Sequence, residues 1–148
     1  MARRSLALNP PYREIEYADG KKKFWNRLKP KSRIDLSYLV ETNIGKRFVI
    51  VYEIEGDILG FIVFVGEDDH LYLDLIEWNE IFEESRGVEF SLMILLEAIA
   101  ANFGYSRIIL YSTGENIGYY EALGYEIAGN SFDNPDYGML TPMGKIAA

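Results

Sequence analysis

Residues 83–105 read EESRGVEFSLMILLEAIAANFGY, and the way this stretch starts and ends decides the fold. From about Val88 to Phe103 it carries only Glu89 and Glu97 as charges. Phe90, Met93, Ile94, Leu95, Leu96 and Ile99 spread around much of the helical circumference. A surface helix has one apolar stripe, so this helix is expected to lie deep, with Gly104 ending it in a left-handed C-cap. The N–H groups at its start lack helical partners and carry partial positive charge, a combination that an anion satisfies. The loop FEESRGV (82–88) brings Arg86 and Gly87 to that end, a cation and a permissive backbone for a phosphate. Glu89 brings a negative charge to the same place.

Working outward, the period upstream is that of strands. RFVIVYEIEGDILGFIVFVGEDDHLYLDLIEWN (47–79) reads as an antiparallel meander of Phe48–Ile54, Ile58–Val65 and Leu71–Trp78, joined by EGD and GEDD. Downstream, SRIILYS (106–112) is a short apolar strand expected to be buried on both faces. ENIGYYEALGY (115–125) is a short helix stopped by Gly124, and YEIAGNSF and YGMLTPM are two last strands around the turn DNPD (133–136). Nearer the start, DGKKKFWNRLKP (19–30) suggests a short helix closed by Pro30. SRIDLSYLVETNIGK (32–46) suggests a second, capped by Ser32 or Asp35, facing Ile34, Tyr38 and Leu39 inward and stopped by Gly45. This order predicts an α/β domain with an α+β mixed sheet. The passage from 71 to 112 predicts a parallel crossover with an opening beside it. One domain over 1–148 is expected, with residues 1–11 as an N-terminal arm.

The bulk numbers exclude several classes. The 148 residues are 49% apolar and contain no cysteine, so a globular core is affordable and thiolate chemistry is absent. With His70 the only histidine, no metal site is expected. The net charge of −8 and pI near 4.7 argue against nucleic acid as a partner. KKKFWNRLKPKSR (21–33) reads as a solvated basic face. No apolar run is long enough to span a membrane, and a cytoplasmic location is expected.

On the strand 71–78, regular alternation places Tyr72, Asp74, Ile76 and Trp78 on one face and Leu73, Leu75 and Glu77 on the other, with Ile81 continuing that second face. Each mostly apolar face holds one acid, so Asp74 and Glu77 are candidate general bases.

Two segments resemble the GCN5-related N-acetyltransferase (GNAT) superfamily. SRGVEFSLMILL (85–96) is similar to the family's Arg/Gln-x-x-Gly-x-Gly/Ala loop and the helix after it. YYEALGYEI (119–127) is similar to its [FY]-Y-E-x-L-G-[FY] segment. Glu89 stands where the family has its middle glycine, and Ser91 where it has the last small residue. The resemblance implies a central, mostly antiparallel sheet with flanking helices, whose fourth and fifth strands are parallel and splay apart. It implies acetyl-CoA as cosubstrate, with the pantetheine arm along Leu75 to Ile81 and the diphosphate on Arg86, Gly87, Val88, Glu89, Phe90 and Ser91. Asn116 completes the cofactor set. The acetyl group would pass directly to an amine, with Tyr120 protonating the thiolate and Glu77 or Asp74 taking the amine proton. The acceptor could be a protein N-terminus, a lysine, a polyamine or an antibiotic-like amine, and the protein a monomer or homodimer. The alternative is a GNAT-fold binding or regulatory protein without catalysis, in which the Glu89 carboxylate replaces the phosphate.

Overall fold

The computed structural model describes residues 6–22, 24–25, 33–34, 36–43, 47–79 and 87–147. In chain order its elements are β1 (Tyr12–Glu14), a 3-10 turn (Tyr17–Lys21), β2 (Phe24–Trp25), β3 (Arg33–Ile34), α1 (Leu36–Asn43), β4 (Phe48–Ile54), β5 (Asp57–Glu67) and β6 (His70–Trp78). There follow α2 (Val88–Asn102), β7 (Arg107–Thr113), a 3-10 turn (Gly114–Asn116), α3 (Ile117–Ala122), β8 (Glu126–Ile127), β9 (Phe132–Asn134) and β10 (Gly138–Ile146). Hydrogen bonding orders the strands β1-β4-β5-β6-β7-β10-β8, with β9 on β10 and β2-β3 as a separate ribbon. The β6–β7 pairing is parallel, and β10 runs antiparallel to β7. The sheet is mixed, as the order of elements predicts.

The chain divides into two compact units, Met1–Val65 with Leu75–Leu95 and Gly66–Asp74 with Leu96–Ala148. In the first, β4 and β5 form a hairpin whose two loop residues, Glu55 and Gly56, both have positive φ. That is the conformation whose twist matches the flanking strands. Its core joins Val49, Val51, Ile58, Phe61 and Val63 to Ile15, Phe24, Leu36, Leu39 and Val40.

At Gly60 β5 packs tightly against the start of α2. A Cβ there would lie 2.6 Å from Val88 Cγ1 and 3.0 Å from the Glu77 backbone oxygen. Neither neighbour is the free end of a long side chain. Gly60→Ala is therefore expected to cost about 1–3 kcal/mol, the usual range for overpacking. A thermal melt indistinguishable from wild type would show that α2 is held less tightly than this spacing requires.

In the second unit β7 pairs with β6 on one side, through His70–Arg107, Leu71–Ile108 and Tyr72–Ile109, and with β10 along its whole length on the other. The parallel pairing thus covers three rows of two much longer strands. The end of α2 is a Schellman motif. Tyr105 N–H donates to Ala100 C=O and Gly104 N–H to Ala101 C=O, with Gly104 at φ +80.

Several elements depart from the sequence-based expectation. The helix expected over 19–30 is instead a 3-10 turn followed by β2; Phe24 is fully buried, its ring 4.9 Å from that of Phe61, and tertiary packing there overrides the helical pattern. Residues 26–30 lie outside the described residues, as do Ser32, Asp35, Gly45 and the side chain of Ile34. On α1 Leu36, Leu39 and Val40 face inward, while Tyr38 is 62% exposed. β7 buries one face only, through Ile108, Leu110 and Ser112, and Tyr111 is exposed on the other. The segment YEIAGNSF forms two short strands rather than one.

α2 itself is not buried all round. Val88, Leu92, Met93, Leu96, Ile99 and Ala100 make the buried stripe, whereas Phe90 is 53% and Ile94 48% exposed. Apolar composition around a helix does not require cover on every side; the stripe at three- and four-residue spacing is enough to dock it.

Candidate active site

The start of α2 is built as a turn into a helix. Gly87 has φ +85, a conformation that side chains rarely adopt. Among the described residues nothing lies within 4 Å of where a Cβ would project, and Gly87 itself is exposed. Ser91 N–H donates to Gly87 C=O at 3.0 Å, which is the first helical bond. The N–H groups of Val88 and Phe90 precede that bond and face the helix's open end. The Ser91 amide is committed to the helix, and its hydroxyl is what remains to offer. Glu89 lies in the first turn, half-buried. Ile81 and Arg86 lie outside the described residues, as do Glu80, Glu83 and Glu84.

The same unit holds the end of β6. Glu77 is 6% exposed, and its backbone oxygen and the Val88 side chain close on Gly60 from two directions. This brings one of the two candidate acids close to the start of α2. Strict alternation of burial along the strand fails here, because the successive residues Ile76 and Glu77 are both buried, between half-buried Leu75 and Trp78. Asp74, in the other unit, is exposed.

Sequence reasoning passed over Asn79, the residue after β6. Its N–H donates to Leu59 C=O at 2.7 Å. Its side chain is fully buried, and neither the amide nitrogen nor the oxygen has a hydrogen-bond partner among the described residues. An unsatisfied buried amide is costly. It leaves a polar side chain buried where β6 ends. The signal was a lone amide closing an apolar strand.

In the second unit Asn116 precedes α3, and its Nδ2 donates to Thr113 Oγ1 at 3.1 Å. One turn later Tyr120 is half-buried between Tyr119 and Tyr125, with ring centroids at 5.2 and 5.9 Å. The YYEALGY motif is a second Schellman motif. Gly124 has φ +97, its N–H donates to Glu121 C=O, and Tyr125 N–H donates to Tyr120 C=O. The Tyr125–Tyr120 ring contact is the apolar pair that accompanies such a cap. The motif's glycine and flanking aromatics thus have a local structural cause. Burial, then Glu97 and Tyr120, push the Tyr125 phenol up, so it stays protonated.

Among the described residues no group of three or more His, Cys, Asp or Glu could hold a metal. No helix there is long and apolar enough to cross a membrane. His70 opens β6 and lies 3.2 Å from Asp69.

The sheet is mixed, and its parallel pair β6–β7 is linked through the glycine-led helix α2. The family model described as the acetyltransferase (GNAT) family matches residues 7–125, and the chain belongs to that family. No curated protein sequence matches it significantly. Among solved structures it is similar to Ard1 from Thermoplasma volcanium, with 18% identity, 93% of this chain and 97% of that one covered, and a TM-score of 0.71. It is similar to the ribosomal-protein-S18-alanine N-acetyltransferase from Escherichia coli, with 16% identity, 93% of each chain and a TM-score of 0.67. It is also similar to an aminoglycoside 6'-N-acetyltransferase complexed with coenzyme A, with 16% identity, 77% of this chain and 80% of that one, and a TM-score of 0.64.

Proposed function

We propose that this protein is a single-domain, cytoplasmic N-acetyltransferase that moves the acetyl group of acetyl-CoA directly onto an amine. The observation that carries the reading is Gly87, exposed and at positive φ, leading into α2 with its first helical bond at Ser91. A diphosphate would sit on the amides from Gly87 to Phe90 and the Ser91 hydroxyl, with Arg86 as counter-charge. The pantetheine arm would follow Leu75 to Ile81, and Asn116 would complete the cofactor contacts. Tyr120 would protonate the departing thiolate. Buried Glu77, rather than exposed Asp74, would take the amine proton. The net charge of −8 favours a cationic amine as acceptor over nucleic acid or an anionic membrane, and a monomer or homodimer would suffice.

Calorimetric titration with acetyl-CoA tests this, followed by thiol release with an alanine-initiated peptide, a lysine peptide, spermidine and kanamycin as acceptors. Affinity is expected to fall as salt rises, since cation and amides meet an anion. No heat at millimolar acetyl-CoA would leave the non-catalytic reading in front.

Glu89 is what favours that second reading, because a carboxylate in the first turn of α2 supplies about 0.3–1 kcal/mol of dipole stabilisation by itself. Glu89→Gly would remove a like charge from the phosphate site while costing roughly 1 kcal/mol in helix propensity. We expect a lower apo melting temperature together with tighter acetyl-CoA binding. Lower melting temperature with unchanged affinity would mean that the carboxylate points away from the loop. Loss of affinity would mean that Glu89 helps shape the site.

A further inference from the structure

We propose that Lys145, on β10, is a positioning residue that fixes the turn carrying Tyr120. The inference rests on the reading of Tyr120 as general acid. α3 spans six residues, too few to hold its shape alone, so the direction of the Tyr120 ring depends on what ties the helix down. Its own C-terminal turn closes on Tyr120, whose C=O accepts both Leu123 N–H and Tyr125 N–H at 3.0 Å. The carbonyl three residues further on is tied from outside. Lys145 Nζ donates to Leu123 C=O at 2.7 Å and pairs with Glu97 Oε1 on α2. It also stands 5.8 Å from the centre of the Tyr125 ring, which packs on Tyr120. One ammonium therefore joins β10, α2 and the end of α3.

Gly124 lies directly against the end of the same lysine. A Cβ on it would lie 3.2 Å from Lys145 Cε and 3.3 Å from Nζ, closer than most side-chain contacts. The glycine supplies the positive φ of the cap and also vacates the seat for the lysine. A cation at a helix C-terminus is favoured by the exposed carbonyls. The pair is also partly withdrawn from water, with Lys145 28% and Glu97 21% exposed. Glu97 Oε2 and Tyr125 Oη are buried without a hydrogen-bond partner among the described residues. Without Lys145 the Glu97 carboxylate would lose its ion pair beside the Tyr120–Tyr125 packing.

The test is a double-mutant cycle of Lys145→Met and Tyr120→Phe, with kcat measured on acetyl-CoA and the fastest amine of the panel above. Acetyl-CoA affinity is measured by calorimetry and folding by thermal melts. Lys145→Met should lower kcat by about 10- to 10²-fold, the scale of a small misplacement, with acetyl-CoA affinity unchanged. In the Tyr120→Phe background it should lower kcat no further. A second readout needs no acceptor. In 3-fluorotyrosine-labelled protein, the Tyr120 fluorine resonance, identified by its loss in Tyr120→Phe, should shift or broaden in Lys145→Met. If Lys145→Met does not fold, Glu97→Gln must produce the same shift. Losses that add in the double variant, or a Tyr120 resonance that stays in place, would overturn the proposal. The two readings fail differently: a Tyr120→Phe variant with wild-type kcat removes the general acid and this inference with it. A large loss in Tyr120→Phe with none in Lys145→Met removes the positioning role alone.

Discussion

Tyr120→Phe is expected to lower kcat by about 10²–10⁴-fold, the usual worth of general acid catalysis, while acetyl-CoA affinity stays nearly intact. The thiolate leaving group needs a proton, and a phenol within reach can give it. The substitution removes one oxygen and keeps the ring that packs on Tyr119 and Tyr125, so the fold should be spared. Because the lost interaction belongs to the transition state, kcat/KM should fall in proportion to kcat. Steady-state kinetics beside a thermal melt decide the matter. A wild-type kcat would leave Tyr120 as packing for the α3 cap. Glu77→Gln is the companion, expected to lower kcat more than Asp74→Asn, since Glu77 is buried and Asp74 is not. The reverse order would move the base to Asp74.

Arg13→Met should cost up to about 3–5 kcal/mol of stability, the penalty for stripping a buried charge of its main partner, with Lys22, 3.3 Å from Asp19, left as the second cation. In a chain of this length that cost lowers the melting temperature by up to about 6–20 °C. Asp19 is 1% exposed. Arg13 Nη1 and Nη2 hold both its oxygens at 2.7 and 2.8 Å, and Glu16 N–H donates to Oδ2 at 2.8 Å. Arg13 Nη2 also reaches Glu53 Oε2 at 2.6 Å, and Lys22 Nζ reaches it at 2.9 Å. Burial pushes the Asp19 carboxyl up, but the bonds from Arg13 and Glu16 and the charge of Arg13 bring it below its ordinary value. Hydrogen bonds from Arg13 and Lys22 lower Glu53 to about 2.

Both folded values are depressed, so the network stabilises the fold fully above the unfolded carboxylate range near 4. That stabilisation is lost as pH falls from there towards 2. Wild-type melting temperature should therefore drop steeply across that window. In Arg13→Met the drop should be shallower, because the share due to Arg13 is already gone at neutral pH and only Lys22 still pairs with Asp19 and Glu53. Parallel profiles for the two proteins would show that Arg13 is not what holds these carboxylates ionised.

The meander, the α2 stretch and its Gly104 cap, and the YYEALGY turn were legible in the sequence because each is written locally. Period-two alternation, positive-φ residues at a two-residue hairpin, and glycines followed by an apolar residue at helix ends act within a few positions. What spacing could not tell was which apolar residues find cover. Phe90 and Ile94 lie on an open face of α2, and Tyr38 points outward, because burial depends on what the rest of the chain brings to each face. Phe24 leaves the helix its neighbours suggest because the ring of Phe61 offers it a buried place. Tertiary structure alone decided that Glu77 is buried and Asp74 exposed, since burial stops alternating at Ile76 and Glu77, both of which find cover. It also brought Lys145 across Gly124 to Leu123 and Glu97. Those residues are distant in sequence, and only the pairing of β10 with β7 and the folding of α3 between them bring one ammonium to all three.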